Sequence, residues 1–254
     1  MVLAIDIGNT NITLGCFDGD SLSFVARLAT VSTKTGDEYA VLLLNILAIH
    51  NVDKSQIKGA IISSVVPPIN AAMNKAVESL YGVKPINVGP GIKTGISIHC
   101  DTPSSVGSDL ICGCVAAHQL YGSPCLIVDM GTATKMTVVN SKGAFIGVSI
   151  IPGVRMGMQA LAMGTAQLPQ VSLEAPSAVI AKNTVDCVKS GIIYGNAALV
   201  DGMIDRINKE LGEELPVLAT GGLSSVVIPH CYHKITIDEN LVLKGLNILY
   251  KKNV

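Results

Sequence analysis

Cys125-Leu126-Ile127-Val128-Asp129-Met130-Gly131-Thr132-Ala133-Thr134 decides the fold, because the chain has already written it once. At the start, Val2 to Ile7 is a nearly continuous apolar run interrupted by Asp6, followed by Gly8-Asn9-Thr10-Asn11. Asp129-Met130-Gly131-Thr132-Ala133-Thr134 therefore parallels Asp6-Ile7-Gly8-Asn9-Thr10-Asn11 almost half a chain later. Each copy runs on into strand, turn and strand: residues 12–17, 18–20 and 22–28 in the first, 136–139, 140–143 and 144–150 in the second. A strand that feeds a hairpin rather than a helix argues against a Rossmann start. A unit repeated once per half implies an internal duplication, and two similar domains predict a ligand cleft between them. The expected division is 1–115 and 116–254, at the end of the Gly-rich stretch or in the helix after it.

The segments between the copies fill in an α/β pattern. Tyr39, Leu42, Leu43, Ile46 and Leu47 fall at helical spacing within 36–50, and residues 58–66 read as a buried strand. Pro67-Pro68 is expected to end that strand ahead of a helix over 69–81. Residues 89–103 carry Gly89, Gly91 and Gly95 with no period and read as a functional loop. Helices are expected up to Tyr121, from Pro152-Gly153 to about Met163, and over 183–211, with a strand over 215–220. A last helix is expected over 238–251, its acids at the start and Lys251-Lys252 at the end, as the macrodipole favours.

Composition excludes several classes of function. The 254 residues are 49% hydrophobic and 15% charged, and 18 Lys plus Arg face 19 Asp plus Glu, giving a net charge of −1. Disorder needs the reverse combination, and nonspecific nucleic-acid binding needs a basic surplus. Residues 40–49, the longest apolar stretch, are far short of a membrane span, and Met1 to Asp6 lacks a signal-peptide pattern, so a cytoplasmic protein without membrane contact is expected. Seven Cys, an odd number lying largely in apolar stretches, read as reduced thiols; Cys112-Gly113-Cys114 has the wrong spacing for zinc.

Two sets of residues can carry chemistry. The paired turns Asp6/Gly8 and Asp129/Gly131 combine a carboxylate, which holds cations, with glycine, which lets backbone N–H groups approach phosphate. Thr10, Asn11, Thr132 and Thr134 add hydroxyl and amide groups, and Thr220-Gly221-Gly222 adds a turn that a base or ribose can approach closely. One Asp-x-Gly alone is an ordinary hairpin turn; two copies followed by a Gly-Gly turn favour a nucleotide-clasping site. Val106-Gly107-Ser108-Asp109 supplies a carboxylate able to take a proton from an alcohol, although on these residues alone Ser and Asp at a helix start are more readily read as caps or first-turn dipole partners. Ile151-Pro152-Gly153 and Thr184 are open to the same plain reading as helix punctuation. These residues by themselves point to an ATP-using phosphotransferase.

Taken together, the motifs resemble the type III pantothenate kinases of the acetate and sugar kinase/Hsp70/actin superfamily. The likeness runs through Asp6 to Asn11, Gly107-Ser108-Asp109, Asp129 to Thr134, Ile151-Pro152-Gly153, Ala166-Gln167-Leu168-Pro169, Ser190-Gly191-Ile192 and Thr220-Gly221-Gly222. The resemblance implies two duplicated ribonuclease-H-like (actin-like ATPase) domains and ATP-dependent phosphorylation of pantothenate to its 4′-phosphate, in coenzyme A synthesis. It implies a homodimer, Mg²⁺ or another divalent ion, and a monovalent cation, K⁺ or NH₄⁺. Position by position, Asp109 is similar to the general base, and Asp6, Gly8, Asn9, Thr10 and Asn11 to the ATP-phosphate loop, with Asp6 also toward the divalent ion. Thr132, Gly221 and Gly222 would contact ATP, Asp129 would hold the monovalent cation, and Cys100, Gly107, Ser108, Asp109, Leu110 and Thr184 would meet pantothenate.

Four positions depart from the family pattern: Leu110 where an Arg is usual, Cys100 for Tyr, Lys135 for Thr, and Gly147-Val148 for Gly-Gly. Losing an Arg removes a fixed cation with five donors from the pocket edge. The alternatives to pantothenate kinase activity are a weakened homologue acting as a binding or regulatory module, a kinase for another small alcohol, and a purely structural duplicated domain.

Overall fold

The computed structural model describes residues 1–254 and divides into two compact α/β units. The first is Met1–Ser97, Asp101–Ala116 and Leu241–Val254; the second is Ile98–Cys100 and Ala117–Asn240. No helix is long and apolar enough to cross a membrane.

In the first unit β1 (Val2–Ile7), β2 (Asn11–Asp18) and β3 (Ser21–Ala29) form the expected antiparallel meander, and β4 (Gly59–Ser64) and β5 (Ile86–Asn87) extend it in parallel. The sheet order is β3-β2-β1-β4-β5. Helices α1 (Gly36–Ile49) and α2 (Pro67–Tyr81) bury Tyr39, Leu43, Ile46, Leu47, Met73 and Val77 against one face, beside Leu3, Ile5 and Ile7 of β1. Thr35 and Glu38 start α1 with a capping box: Glu38 N–H donates to Thr35 Oγ1, and Thr35 N–H donates to Glu38 Oε2. Pro67 and Pro68 do not precede α2 but form its first turn, where a missing N–H leaves no helical bond unmade.

The second unit repeats this plan. After α3 (Ser108–Leu120), β6 (Cys125–Met130), β7 (Ala133–Val139) and β8 (Phe145–Pro152) make the second meander. Helices α4 (Val154–Gly164) and α5 (Thr184–Leu211) follow, then β9 (Val217–Thr220), the short α6 (Ser224–Val227) and β10 (Ile235–Ile237). The order β10-β9-β6-β7-β8 mirrors the first sheet, with β9 parallel to β6 as β4 is to β1. Even the irregularities recur: the second strand of each meander shifts register near its end, at Cys16/Phe17 and at Val138/Val139. These are two ribonuclease-H-like units, and the duplication extends beyond the turns and meanders to the fourth and fifth strands.

Two expectations at the C-terminus need correction. The last helix, α7 (Leu241–Asn253), begins after Asp238 and Glu239 and has no acid in its first turn. Asp238 instead accepts hydrogen bonds from Tyr121 Oη at 2.8 Å and from Asn240 N–H at 3.1 Å. Moreover, α7 belongs to the first unit, not to a domain spanning 116–254. Its buried Leu241, Leu243, Leu246 and Leu249 need an apolar face, and Asn247 Nδ2 donates to the Gly19 carbonyl at 2.9 Å while Lys251 pairs with Asp20 at 2.6 Å. With α7 included, β1 is covered on both faces, which is why its sequence is an unbroken apolar run up to Asp6.

Candidate active site

In the first unit the site grows from the end of β1. Asp6 is in register with Thr13 of β2 and Ser63 of β4, so the three share one face of the sheet. The following turn is tied down by Gly8 N–H to Asn11 O at 3.0 Å, Thr30 Oγ1 to Gly8 O at 2.7 Å and Thr30 N–H to Thr10 O at 3.0 Å. The Gly8 N–H, expected to meet phosphate, is thus already engaged in the turn; Asn9, Thr10 and Asn11 are the exposed residues.

The start of α3 is fastened to β4. Ser108 Oγ accepts from Ser64 N–H at 3.0 Å, donates to Ser64 O at 3.1 Å and lies 3.0 Å from Ser63 Oγ. Ser108 is therefore buried and stitches helix to strand instead of meeting ligand from an open surface. Asp109 folds back over the helix start, its Oδ1 accepting from Leu110 N–H at 2.9 Å. A Cβ on Gly107 would sit 2.5 Å from that oxygen, so the carboxylate takes this position only over a glycine. Leu110 is half-buried. Cys112, one turn further, reports what surrounds it: burial pushes its thiol well above the usual range, the Asp6 and Asp109 carboxylates add to the push, and a hydrogen bond with Ser63 opposes it. Two carboxylates far apart in this unit's sequence thus act on one thiol.

In the second unit the equivalent position is built differently. Asp129 at the end of β6 is in register with Lys135 of β7 and Thr220 of β9. Lys135 Nζ is 2.7 Å from Asp129 Oδ2, with both side chains only 17% exposed. Gly131 N–H closes its turn on Ala133 O at 3.2 Å. Gly221, at φ +89°, presses on the same carboxylate: a Cβ there would lie 2.7 Å from Asp129 Oδ1 and 2.6 Å from the Met130 carbonyl carbon. Its carbonyl accepts from both Ser224 N–H and Ser224 Oγ. The Thr220 and Thr134 hydroxyls are buried with no hydrogen-bond partner, whereas Thr132 and Gly222 are exposed.

The remaining candidates, Cys100 and Thr184, belong to the second unit. Cys100 ends a segment held in the second unit by His99 N–H to Phe145 O at 2.8 Å, while Gly107 to Leu110 belong to the first. Thr184 is the first residue of α5, capped by Asn183, and lines a cavity of about 560 Å³ with Leu161, Leu168, Lys182 and Cys187. None of the other candidates lines that cavity.

The family model described as type III pantothenate kinase matches residues 2–206. The chain belongs to the type III pantothenate kinase family. Curated type III pantothenate kinases from Geotalea daltonii and Geobacter sulfurreducens are 44% and 42% identical to it, each over 100% of this chain and 99% of the relative. Among solved structures, the activator of 2-hydroxyisocaproyl-CoA dehydratase from Clostridium difficile, with bound ADPNP, covers 98% of this chain and 93% of its own at a TM-score of 0.54 and 11% identity, a likeness of fold alone.

Sequence reasoning overlooked Ser63, weighed Cys112 only as a zinc ligand, named Thr220 only as part of a glycine turn, and took Lys135 only as a departure from pattern. A signal for three of them was present. Residues opposite or beside a strand-end Asp share its face, so once β1/β2/β4 and β6/β7/β9 are aligned, Thr13 and Ser63 answer to Lys135 and Thr220.

Proposed function

We propose that this chain transfers the γ-phosphoryl group of ATP to the 4′-hydroxyl of pantothenate, the first step of coenzyme A synthesis. The observation that carries the reading is the family match over residues 2–206, a range that includes Asp6, Asp109 and Asp129. Asp109 is the general base: its carboxylate takes the hydroxyl proton as the substrate oxygen attacks the γ-phosphorus, and the bond to the β-phosphate oxygen breaks to release ADP. Its place in the first turn of α3, with Oδ1 fixed by Leu110 N–H and Gly107, holds it in one orientation. The exposed Asn9, Thr10 and Asn11 bind ATP phosphates, as does Thr132, and Gly221-Gly222 borders the nucleotide. Gly107, Leu110, Cys100 and Thr184 border pantothenate, and Ser108 positions the base by tying α3 to β4.

The donor set at Asp6, one carboxylate with Thr13 and Ser63 on its face, suits a Mg²⁺ ion that arrives on ATP and keeps most of its other ligands as water and phosphate. Such an ion neutralises charge on the phosphates as transfer proceeds. The monovalent cation expected at Asp129 does not fit that carboxylate as built, because the Lys135 ammonium already stands at Oδ2.

A homodimer is part of the proposal. Exposed Leu161, Met163, Val179, Ile180 and Val185 supply an apolar surface for a second copy, which light scattering coupled to gel filtration checks. A cytoplasmic setting accords with seven free thiols.

The test of the activity is ADP release in the presence of ATP, Mg²⁺ and pantothenate. Acceptor-dependent release supports the reading; release with another small alcohol but not with pantothenate reassigns the substrate, and tight ATP binding without release supports a regulatory homologue.

A further inference from the structure

The half-buried ion pair at the second turn bears on ion dependence, an inference that rests on the nucleotide-site reading above. Lys135 and Asp129 are directly opposed on antiparallel β7 and β6, the arrangement that brings cross-strand side chains closest. Nζ lies 2.7 Å from Oδ2, and both side chains are largely withdrawn from water. The other carboxylate oxygen packs on Gly221, and the next position in the same row, Thr220, holds a buried hydroxyl without a hydrogen-bond partner. Partial burial of a Lys–Asp pair at the mouth of a turn is a poor way to gain stability, since desolvation opposes the attraction. It is an effective way to hold a positive charge where anionic phosphates bind, because the ammonium is tethered at high effective concentration and its place does not depend on the surrounding salt. A second free cation on Asp129 would meet the repulsion of that ammonium.

We propose that Lys135 is a built-in cation for the triphosphate of the nucleotide: its ammonium supplies at Asp129 the charge that a dissolved monovalent ion would otherwise bring, so nucleotide binding and turnover are independent of K⁺ and NH₄⁺. An alkylammonium is chemically a tethered NH₄⁺, with three N–H donors and one charge. Asp129 accordingly acts through Lys135, holding and orienting it, and Lys135 is the specificity-determining residue for ion use.

The experiment compares binding of a nonhydrolysable ATP analogue with Mg²⁺ by calorimetry in KCl, in NH₄Cl and in tetramethylammonium chloride. All are used at about 0.1 M so that screening is equal. Wild-type affinity is expected to differ less than about twofold among the three salts. Lys135→Thr is expected to lose roughly tenfold in tetramethylammonium, the size of one charge-assisted contact, and to regain most of it in KCl or NH₄Cl. Lys135→Arg, which keeps the charge, is expected to remain insensitive to the salt. A wild-type protein that gains about tenfold on addition of K⁺ overturns the proposal, and that measurement needs no variant to fold. Equal affinity of wild type and Lys135→Thr in tetramethylammonium also overturns it. Failure to bind the analogue in any salt removes the nucleotide-site reading itself, and is told apart because no ion restores it. Binding without acceptor-dependent turnover overturns only the substrate assignment.

Discussion

Asp6 and Asp129 end equivalent strands, in sheets of the same order and with the same register shift in the neighbouring strand, yet the side chains around them differ in kind. Asp6 shares its face with two neutral hydroxyl residues, Thr13 and Ser63; Asp129 has a lysine on one side and a buried threonine on the other. The second carboxylate has a cation supplied by the chain. A duplicated backbone therefore fixes where charge is presented, and the residue opposite on the next strand decides which charge it is. The first unit also holds Asp109, the base of the proposal: Asp6 and Asp109 both act on Cys112, through an α3 that Ser108 fastens to β4.

The division of labour breaks most sharply at Asp109. Asp109→Asn keeps the acceptor for Leu110 N–H but removes the base, so kcat should fall by about 10²–10⁴ with ATP affinity retained; turnover within a few-fold of wild type would reject Asp109 as base. Gly107→Ala should cost up to about 10² in kcat with little change in melting temperature, because its Cβ displaces the Asp109 carboxylate. Making the first turn like the second is a more direct probe of the comparison. Thr13→Lys places an ammonium opposite Asp6, where it competes with the divalent ion, and should raise the KM for Mg-ATP by roughly tenfold.

Much of this was legible in the sequence. The repeat at Asp6 and Asp129 announced the duplication because strand, turn and hairpin follow one another locally, and Gly107-Ser108-Asp109 stood out as a carboxylate at a helix start. What remained hidden is set by pairing at long range. The 2.7 Å contact of Lys135 with Asp129 requires the register of β6 on β7, and Ser63 enters the site only because β4 lies parallel to β1. The return of α7 to the first unit was equally out of reach, since its apolar face would suit either sheet and only the packing chooses. Ser108 was ambiguous between cap and ligand residue; its bonds to Ser64 give it a place between α3 and β4 that neither reading foresaw.

Smaller effects sharpen the same contrast. Gly221→Ala should destabilise the second unit by about 1–3 kcal/mol in urea unfolding, from the positive φ and the contact with Asp129, and should disturb the Lys135 pair as well. Cys112 should be the slower of two thiols to alkylate: its raised pKa keeps it protonated at neutral pH, whereas Cys187 is exposed. The thiolate is the reacting form, so raising the pH should accelerate Cys112 labelling in the folded protein, and mass mapping after brief iodoacetamide treatment reads the order.

Phosphoryl transfer to pantothenate with Asp109 as the proposed base is read by following ADP formation and the mass of the acceptor in one reaction of protein, ATP, Mg²⁺ and pantothenate. One phosphoryl group should be added to pantothenate for each ADP formed, and both products should be lost in Asp109→Asn. ADP formation no faster than without pantothenate, in a protein that binds ATP, would contradict the assignment.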